Sequence, residues 1–257
     1  MKRTSKELKR IARDILNNRY TIPMGAFVTA WLIPSVIETP FSLSDVPTPA
    51  ASQIIICSLA QFLILLIGQV LNAGVATIHL NMTRGKEFRF GQLFAPFRQS
   101  ADRFFGAALI YSLCSLLICI PASAGIYCSY RMDDLTLTSP ALIAGVLISL
   151  IFIAIFTLNY PMVFYFLSDY PQMKVSHAFR ECRLLMKGNK KRLLYIILSF
   201  AGWNLLAICS FGIAFLWISP YQTQTLITFY LDCTGELDQI PVRDYSKQSA
   251  RHSNPFT

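Results

Sequence analysis

Three stretches of this chain run without a charged side chain for longer than a solvent-facing helix of a soluble protein would. Val46 to Thr83 is uncharged for 38 residues, the interval between Asp134 and Asp169 for 34, and Leu193 to Leu231 for 39. A helix needs about 20 apolar residues, at about 1.5 Å rise each, to cross the hydrocarbon of a bilayer. One such run could be a buried core helix, but several in 257 residues would leave a soluble fold unable to cover its apolar surface. Only 14% of the residues are charged, against about 25% in a soluble domain. The fold class expected is therefore all-α: a polytopic membrane bundle of about six transmembrane helices with basic amphipathic juxtamembrane helices.

The spans predicted from the apolar runs are about 20–37, 53–80, 104–127, 141–167, 191–209 and 213–231. The last two divide a run that, as one helix, would extend about 58 Å across about 30 Å of hydrocarbon. Ser210-Phe211-Gly212 is the natural turn between them. In a five-span alternative Ser219-Pro220 ends one long helix, and the tail lies outside. Residues 20–232 form the membrane domain. Residues 233–257 read as a disordered tail, because mixed charge and turn formers cannot build a core.

Cation placement orients this bundle. Residues 1–19 carry 7 Lys and Arg, residues 84–103 carry 5 and residues 174–192 carry 7, whereas 38–52 carries none and 128–139 carries 1. Lys and Arg collect on the cytoplasmic side of membrane proteins. With the tail inside, 22 of 23 cations are cytoplasmic in the six-span arrangement. The N-terminus is thus expected in the cytoplasm and the protein in the cell membrane. Lys187, Lys190, Lys191 and Arg192 mark the cytoplasmic start of the fifth span, where each attracts anionic lipid headgroups by about 1 kcal/mol. Topology accounts for the net charge of +9, so nucleic acid is not an expected partner.

Residues 1–19 should form a helix. Thr4 and Glu7 fit a capping box, and Leu8, Ile11, Ala12, Ile15 and Leu16 recur on one face opposite Lys6, Lys9, Arg10 and Arg13. Such a helix lies in the headgroup plane or packs on its own bundle, and the sequence leaves both open. Nineteen mostly polar residues precede the first apolar run and no cleavage site follows it, so that run reads as a retained span. Three times a basic amphipathic segment leads into an apolar span, which suggests three helical hairpins.

No catalytic pattern stands out. Seven scattered cysteines show no CxxC spacing and read as apolar packers. His79, His177 and His252 have no ligand partner at i+3 or i+4, so neither a metal nor a cofactor is called for. Neutral polar residues do occur within the spans. Asn72, Asn159, Asn204, Tyr221 and Gln222 are the candidate intramembrane polar contacts, either bonding between helices or lining a cavity. Pro220 frees a backbone carbonyl beside Tyr221 and Gln222.

The segments "AFRECRLLMKGNKKRLLYIILSFAGWNLL" and "FGIAFLWISPYQTQTLITFY", with "LKRIARDILNNRY" and "TRGKEFRFGQLFAPF", carry a likeness. Through them the chain resembles a bacterial group of multi-pass membrane proteins, the domain-of-unknown-function family nine-seven-five. Gly202-Trp203 and Pro220-Tyr221 are its more specific elements. The chain departs from the family pattern at "IPASAGIYCSYRMDDLTLTSPALIAG", where residues look inserted between spans three and four. The architecture is more distantly similar to the membrane domain of some glycerophosphodiester phosphodiesterases, which is not their catalytic domain. The resemblance implies a bacterial cytoplasmic membrane and no particular reaction. The expected function is a non-enzymatic interaction or envelope-related role, with a membrane protein partner or a homo-oligomer. The alternatives are a transporter or permease for a small or lipid-like solute and, less favoured, a membrane-embedded lipid enzyme.

Overall fold

The computed structural model describes residues 3–41, 50–131 and 139–239, and the tail from 240 lies outside the described residues. The described chain is all-α, without strands. In order, the helices are α1 (Ser5–Leu16), α2 (Thr21–Glu38), α3 (Ala51–Thr83), α4 (Ala95–Gln99), α5 (Ala101–Arg131), α6 (Pro140–Asn159), α7 (Val163–Asp169), α8 (Val175–Met186), α9 (Lys190–Ser199), α10 (Ala201–Cys209) and α11 (Phe215–Thr234).

Among the described residues, five helical segments are long and apolar enough to cross a membrane: Thr21–Phe41, Ala51–Thr83, Ala101–Arg131, Pro140–Asp169 and Lys190–Cys209. These point to a membrane protein. Their outer faces carry exposed Ile55, Leu117, Ile151 and Leu205, which would be untenable in water and suit lipid. By length α11 matches a span, but its Gln222, Gln224, Thr225 and Thr228 lower its hydropathy. The packing explains these polar residues: Gln224, Thr225 and Thr228 are buried at the centre of the bundle.

The long segments run antiparallel, so alternate ends meet. One end, basic in sequence, gathers the start of α2, the end of α3, the starts of α5 and α9, and the ends of α7 and α11. The core lies towards that end. Leu8, Val70, Phe104, Met162, Cys182, Leu193 and Phe229 belong to one buried cluster contributed by α1, α3, α5, the α6–α7 junction, α8, α9 and α11. Helix α1 is capped by Thr4 and Glu7, whose side chains bond each other's amides. Its Leu8, Ala12, Ile15 and Leu16 are buried, so this face packs on the bundle rather than on lipid.

Two spans expected to be continuous are broken. The stretch read as 141–167 ends as α6 at Asn159 and restarts at Val163. Pro161 causes this: it pushes Tyr160 (φ −127°, ψ 32°) out of the helical region and offers no N–H of its own. The stretch read as 191–209 breaks at Phe200, where the Ser199 carbonyl accepts from Lys9 Nζ at 3.3 Å.

Beyond Cys209 the chain reverses. Phe211 and Gly212 take positive φ (53° and 86°), and the Gly212 amide donates to Ala207 O at 2.9 Å. The return helix α11 then pairs antiparallel with α10 and α9: Gln222 meets Asn204, Tyr221 meets Phe200, and Asp232 meets Arg192.

Helices approach most closely where glycine removes the side chain. A Cβ on Gly74 of α3 would lie 1.9 Å from Leu93 O. Gly125 and Gly145 let α5 and α6 touch, with a Cβ on Gly145 falling 2.4 Å from Pro121 O. Ser149 Oγ accepts from the Ala122 amide in the same seam, at 3.1 Å.

Candidate functional site

Four groups of polar residues stand out: two ionic clasps at the basic end, the paired amides of the α10–α11 hairpin, a buried network around His79, and one open cleft.

The first clasp is built on Arg84, the residue that ends α3. Its guanidinium donates two bonds to Asp169 (2.7 and 2.9 Å) at the end of α7 and two to Glu236 (both 2.7 Å) after α11. Tyr230 OH also donates to Asp169, at 2.8 Å. Burial disfavours the charged form of Arg84, but the hydrogen bonds to Glu236 and Asp169 outweigh it and raise its basicity. The planar fork of arginine suits this double bidentate role.

The second clasp corrects an expectation. Arg192 does not face lipid headgroups: it donates to Asp232 at 2.5 Å and to Arg3 O at 2.6 Å. Its guanidinium stands 5.3 Å from the Phe229 ring centroid. Asp232 is 2% exposed in its side chain, and an unpaired carboxylate there would be costly. The need to neutralise it explains why this cation turns inward. Arg3 also contacts Asp232 and Asp238. Of the remaining predicted surface cations, Lys187 and Lys191 are exposed and Lys190 is half-buried.

Inside the bundle, Gln222 Nε2 donates to Asn204 Oδ1 at 2.5 Å, so these two candidates satisfy each other across the α10–α11 hairpin. Tyr221 sits beside them, its ring 5.2 Å from that of Phe200 and its hydroxyl 3.4 Å from Lys9 O. Asn159 is not brought to them. Its amide donates to Ile155 O at 2.6 Å within its own helix, and its carbonyl accepts a 3.5 Å contact from Cys182 at the α6 terminus. The chain break at Pro161 makes it a helix-end residue within the Pro140–Asp169 segment, bonded locally and to α8 rather than to the other candidates.

A second buried network was not anticipated. His79 Nδ1 meets Gln224 Oε1 at 2.8 Å, Gln224 Nε2 donates to Thr83 Oγ1 at 2.6 Å, and Thr83 donates back to His79 O at 2.9 Å. With Gln224 donating to Thr83, its oxygen accepts and His79 carries the proton on Nδ1; the buried Nε2 meets no partner among the described residues. The only sequence signal was the i, i+4 spacing of His79 and Thr83, which puts both on one face of α3. Gln224 lies 145 positions from His79, beyond any local pattern.

Asn72 goes elsewhere again. It lines a cleft of about 1080 Å³ between α2 and α3, with Gln61, Gln69, Trp31 and Glu38. Its wall is mainly apolar, with these amides and Glu38 among its polar groups, and Leu116 of α5 completes it.

Among the described residues no group of three or more His, Cys, Asp or Glu could hold a metal. Cys182 is the buried thiol, and burial pushes it up to about 12, the opposite of what a nucleophile needs.

No curated protein and no solved structure matches the chain. A family does, over residues 1–236, and its extent takes in both clasps, the paired amides and the cleft. The chain belongs to the family described as Protein of unknown function (DUF975).

Proposed function

We propose that this is a non-catalytic, multi-pass protein of the bacterial cytoplasmic membrane that works through interaction with lipid and with another membrane protein. Both termini lie in the cytoplasm in this reading. One observation carries it: outside the α2–α3 cleft, the charged groups of the clasps and the amides of the α10–α11 hairpin are used on one another. Arg84 is taken by Asp169 and Glu236, Arg192 by Asp232, and Asn204 by Gln222. Groups so engaged hold helices together and are poorly placed to act on a substrate. Exposed Lys187 and Lys191 support an anionic headgroup contact on the cytoplasmic side.

The test is to incorporate a photo-crosslinking residue at Leu205 or Ile208, both exposed on α10, in intact cells. A discrete crosslinked membrane protein of reproducible mass, lost when the probe is moved to buried Ala207, is the expected result. Turnover of a phosphodiester or lipid substrate by the purified protein alone would overturn the reading.

The cleft favours one second reading, a permease for a lipid-like solute. Asn204 is consumed by Gln222, so the discriminating substitution is Asn72→Leu. Solute flux in proteoliposomes that disappears in this variant, with the fold intact, would establish transport.

A further inference from the structure

The cleft between α2 and α3 has a chemistry that lipid chains alone do not satisfy. Gln61, Gln69 and Asn72 recur along one face of α3 with Ser58 above them, all on the cleft wall. Gln61 and Asn72 are exposed, and Gln69 is half-buried. Eleven positions separate Gln61 from Asn72, about 16 Å of helix and roughly half of the hydrocarbon thickness. Among the described residues none of the three amides is in a hydrogen bond, in contrast to Asn204, Gln222 and Gln224. An amide facing hydrocarbon without a partner is unfavourable, so the cleft calls for a hydrogen-bonding occupant.

Three occupants can be weighed. Water alone would satisfy the amides but not the apolar wall, which includes Ile55 and Leu59. A second copy meeting this one through the same surface would set two hollows face to face, which do not interdigitate. An amphiphile meets both demands. Its chain enters sideways from the bilayer along the apolar wall, and its head reaches the amide stripe. The volume of about 1080 Å³ is near the upper end for small-molecule sites, about 300–1,000 Å³. Charge narrows the class further: Glu38 lines the cleft, and among the described residues no Lys or Arg does. An anionic head would be repelled, whereas hydroxyl or amine groups would donate to Glu38 and the amide oxygens.

We infer that the α2–α3 cleft binds a membrane amphiphile whose head bears no negative charge and donates hydrogen bonds, as a monoacylglycerol does. This goes beyond the proposed interaction role, and its failure would leave a protein contact at α10 untouched.

Trp31 on the cleft wall provides the readout, since the only other tryptophans are Trp203 and Trp217. With Trp203→Phe and Trp217→Phe, the full chain in phosphatidylcholine nanodiscs is titrated with a dibrominated monoacylglycerol, whose bromines quench Trp31 on contact. Saturable quenching, competed by unbrominated monoacylglycerol and weakened at least about tenfold by Gln69→Leu with Asn72→Leu, is expected (about 1.4 kcal/mol per tenfold). Dibrominated stearate should quench without saturation. Glu38→Gln, at an exposed position away from the core, should narrow the preference for the neutral probe several-fold. Quenching that never saturates, or that is the same in the double variant, overturns the inference. So does self-association of the parent protein that is abolished by the double variant, which would make a second copy the occupant.

Discussion

Arg192 and Asp232 lie 40 positions apart and close the open end of the α9–α11 hairpin at 2.5 Å, opposite the turn at Phe211. The pair fixes the register in which α11 returns along α9 and α10. Removing one partner leaves the other charge buried, which costs about 2–4 kcal/mol after allowing for partial exposure of Arg192. Asp232→Asn and Arg192→Ala should each lower the thermal midpoint in detergent. Arg192→Met combined with Asp232→Leu should cost less than the sum of the single losses, because no charge is stranded.

Arg84 tests the other clasp. Lysine keeps the charge but cannot fork to two carboxylates at once. Arg84→Lys is expected to destabilise by about 2 kcal/mol, read by the same unfolding assay. Glu236→Gln should cost less than Asp169→Asn, because the Glu236 side chain is 34% exposed and that of Asp169 only 8%.

Gly74 of α3 sits against backbone rather than a yielding side chain. Gly74→Ala must therefore displace the segment around Leu93, at about 1–3 kcal/mol or more. Gly202→Ala, where a Cβ meets nothing within 4 Å, is the control and should be near neutral.

Cys182 should resist maleimide at neutral pH in the folded protein and react once unfolded, as mass spectrometry would record. The sign of its pH dependence follows from burial. The thiol, ordinarily at 9.0, is raised to about 12 in the fold. Below the unfolded value both states hold the proton, and its contribution is intact. As pH climbs from 9 towards 12 the unfolded chain loses protons that the folded chain keeps, so stability falls. Cys182→Ala should remove that part of the alkaline decline.

Topology has its own test. Phe211, 98% exposed at the hairpin tip, is expected on the outer side. Phe211→Cys in a chain with its other cysteines replaced should label with an impermeant maleimide on intact cells. A reporter fused after Thr257 should give cytoplasmic-type activity. Labelling only after lysis, or outward activity of the reporter, would exclude six spans.

Much of the fold was legible because hydrocarbon imposes one dominant rule: uncharged runs must be helical and about 20 residues long. The excess length of residues 193–231 was enough to call for a turn near Ser210. Pro161 was legible in principle, since proline unseats the residue before it, but its effect was hidden inside an otherwise ideal apolar run. The clasps were not legible. Arg192 sits among Lys187, Lys190 and Lys191, and nothing local separates the one that turns inward from those that face outward. What separates it is Asp232, a partner on another helix. Gln224 and Gln222 are two positions apart and look alike in sequence, yet one bonds His79 and the other Asn204.

The clasps also join early chain to late chain. Arg3 reaches Asp232 and Asp238, Lys9 reaches Ser199, and Arg84 reaches Glu236. During synthesis, at about 5–20 residues per second, α1 is made first but its seat is incomplete until α9 and α11 have emerged. Its apolar face must wait through nearly the whole passage of the chain, and the membrane surface is the nearest place to wait. Each hairpin can enter the bilayer as it is made, because its own apolar surface suffices. Closure of the basic end belongs to the final moments of biosynthesis. A chain truncated before Asp232 would therefore be inserted yet unfastened, a state that membrane quality-control proteases could distinguish from the finished protein.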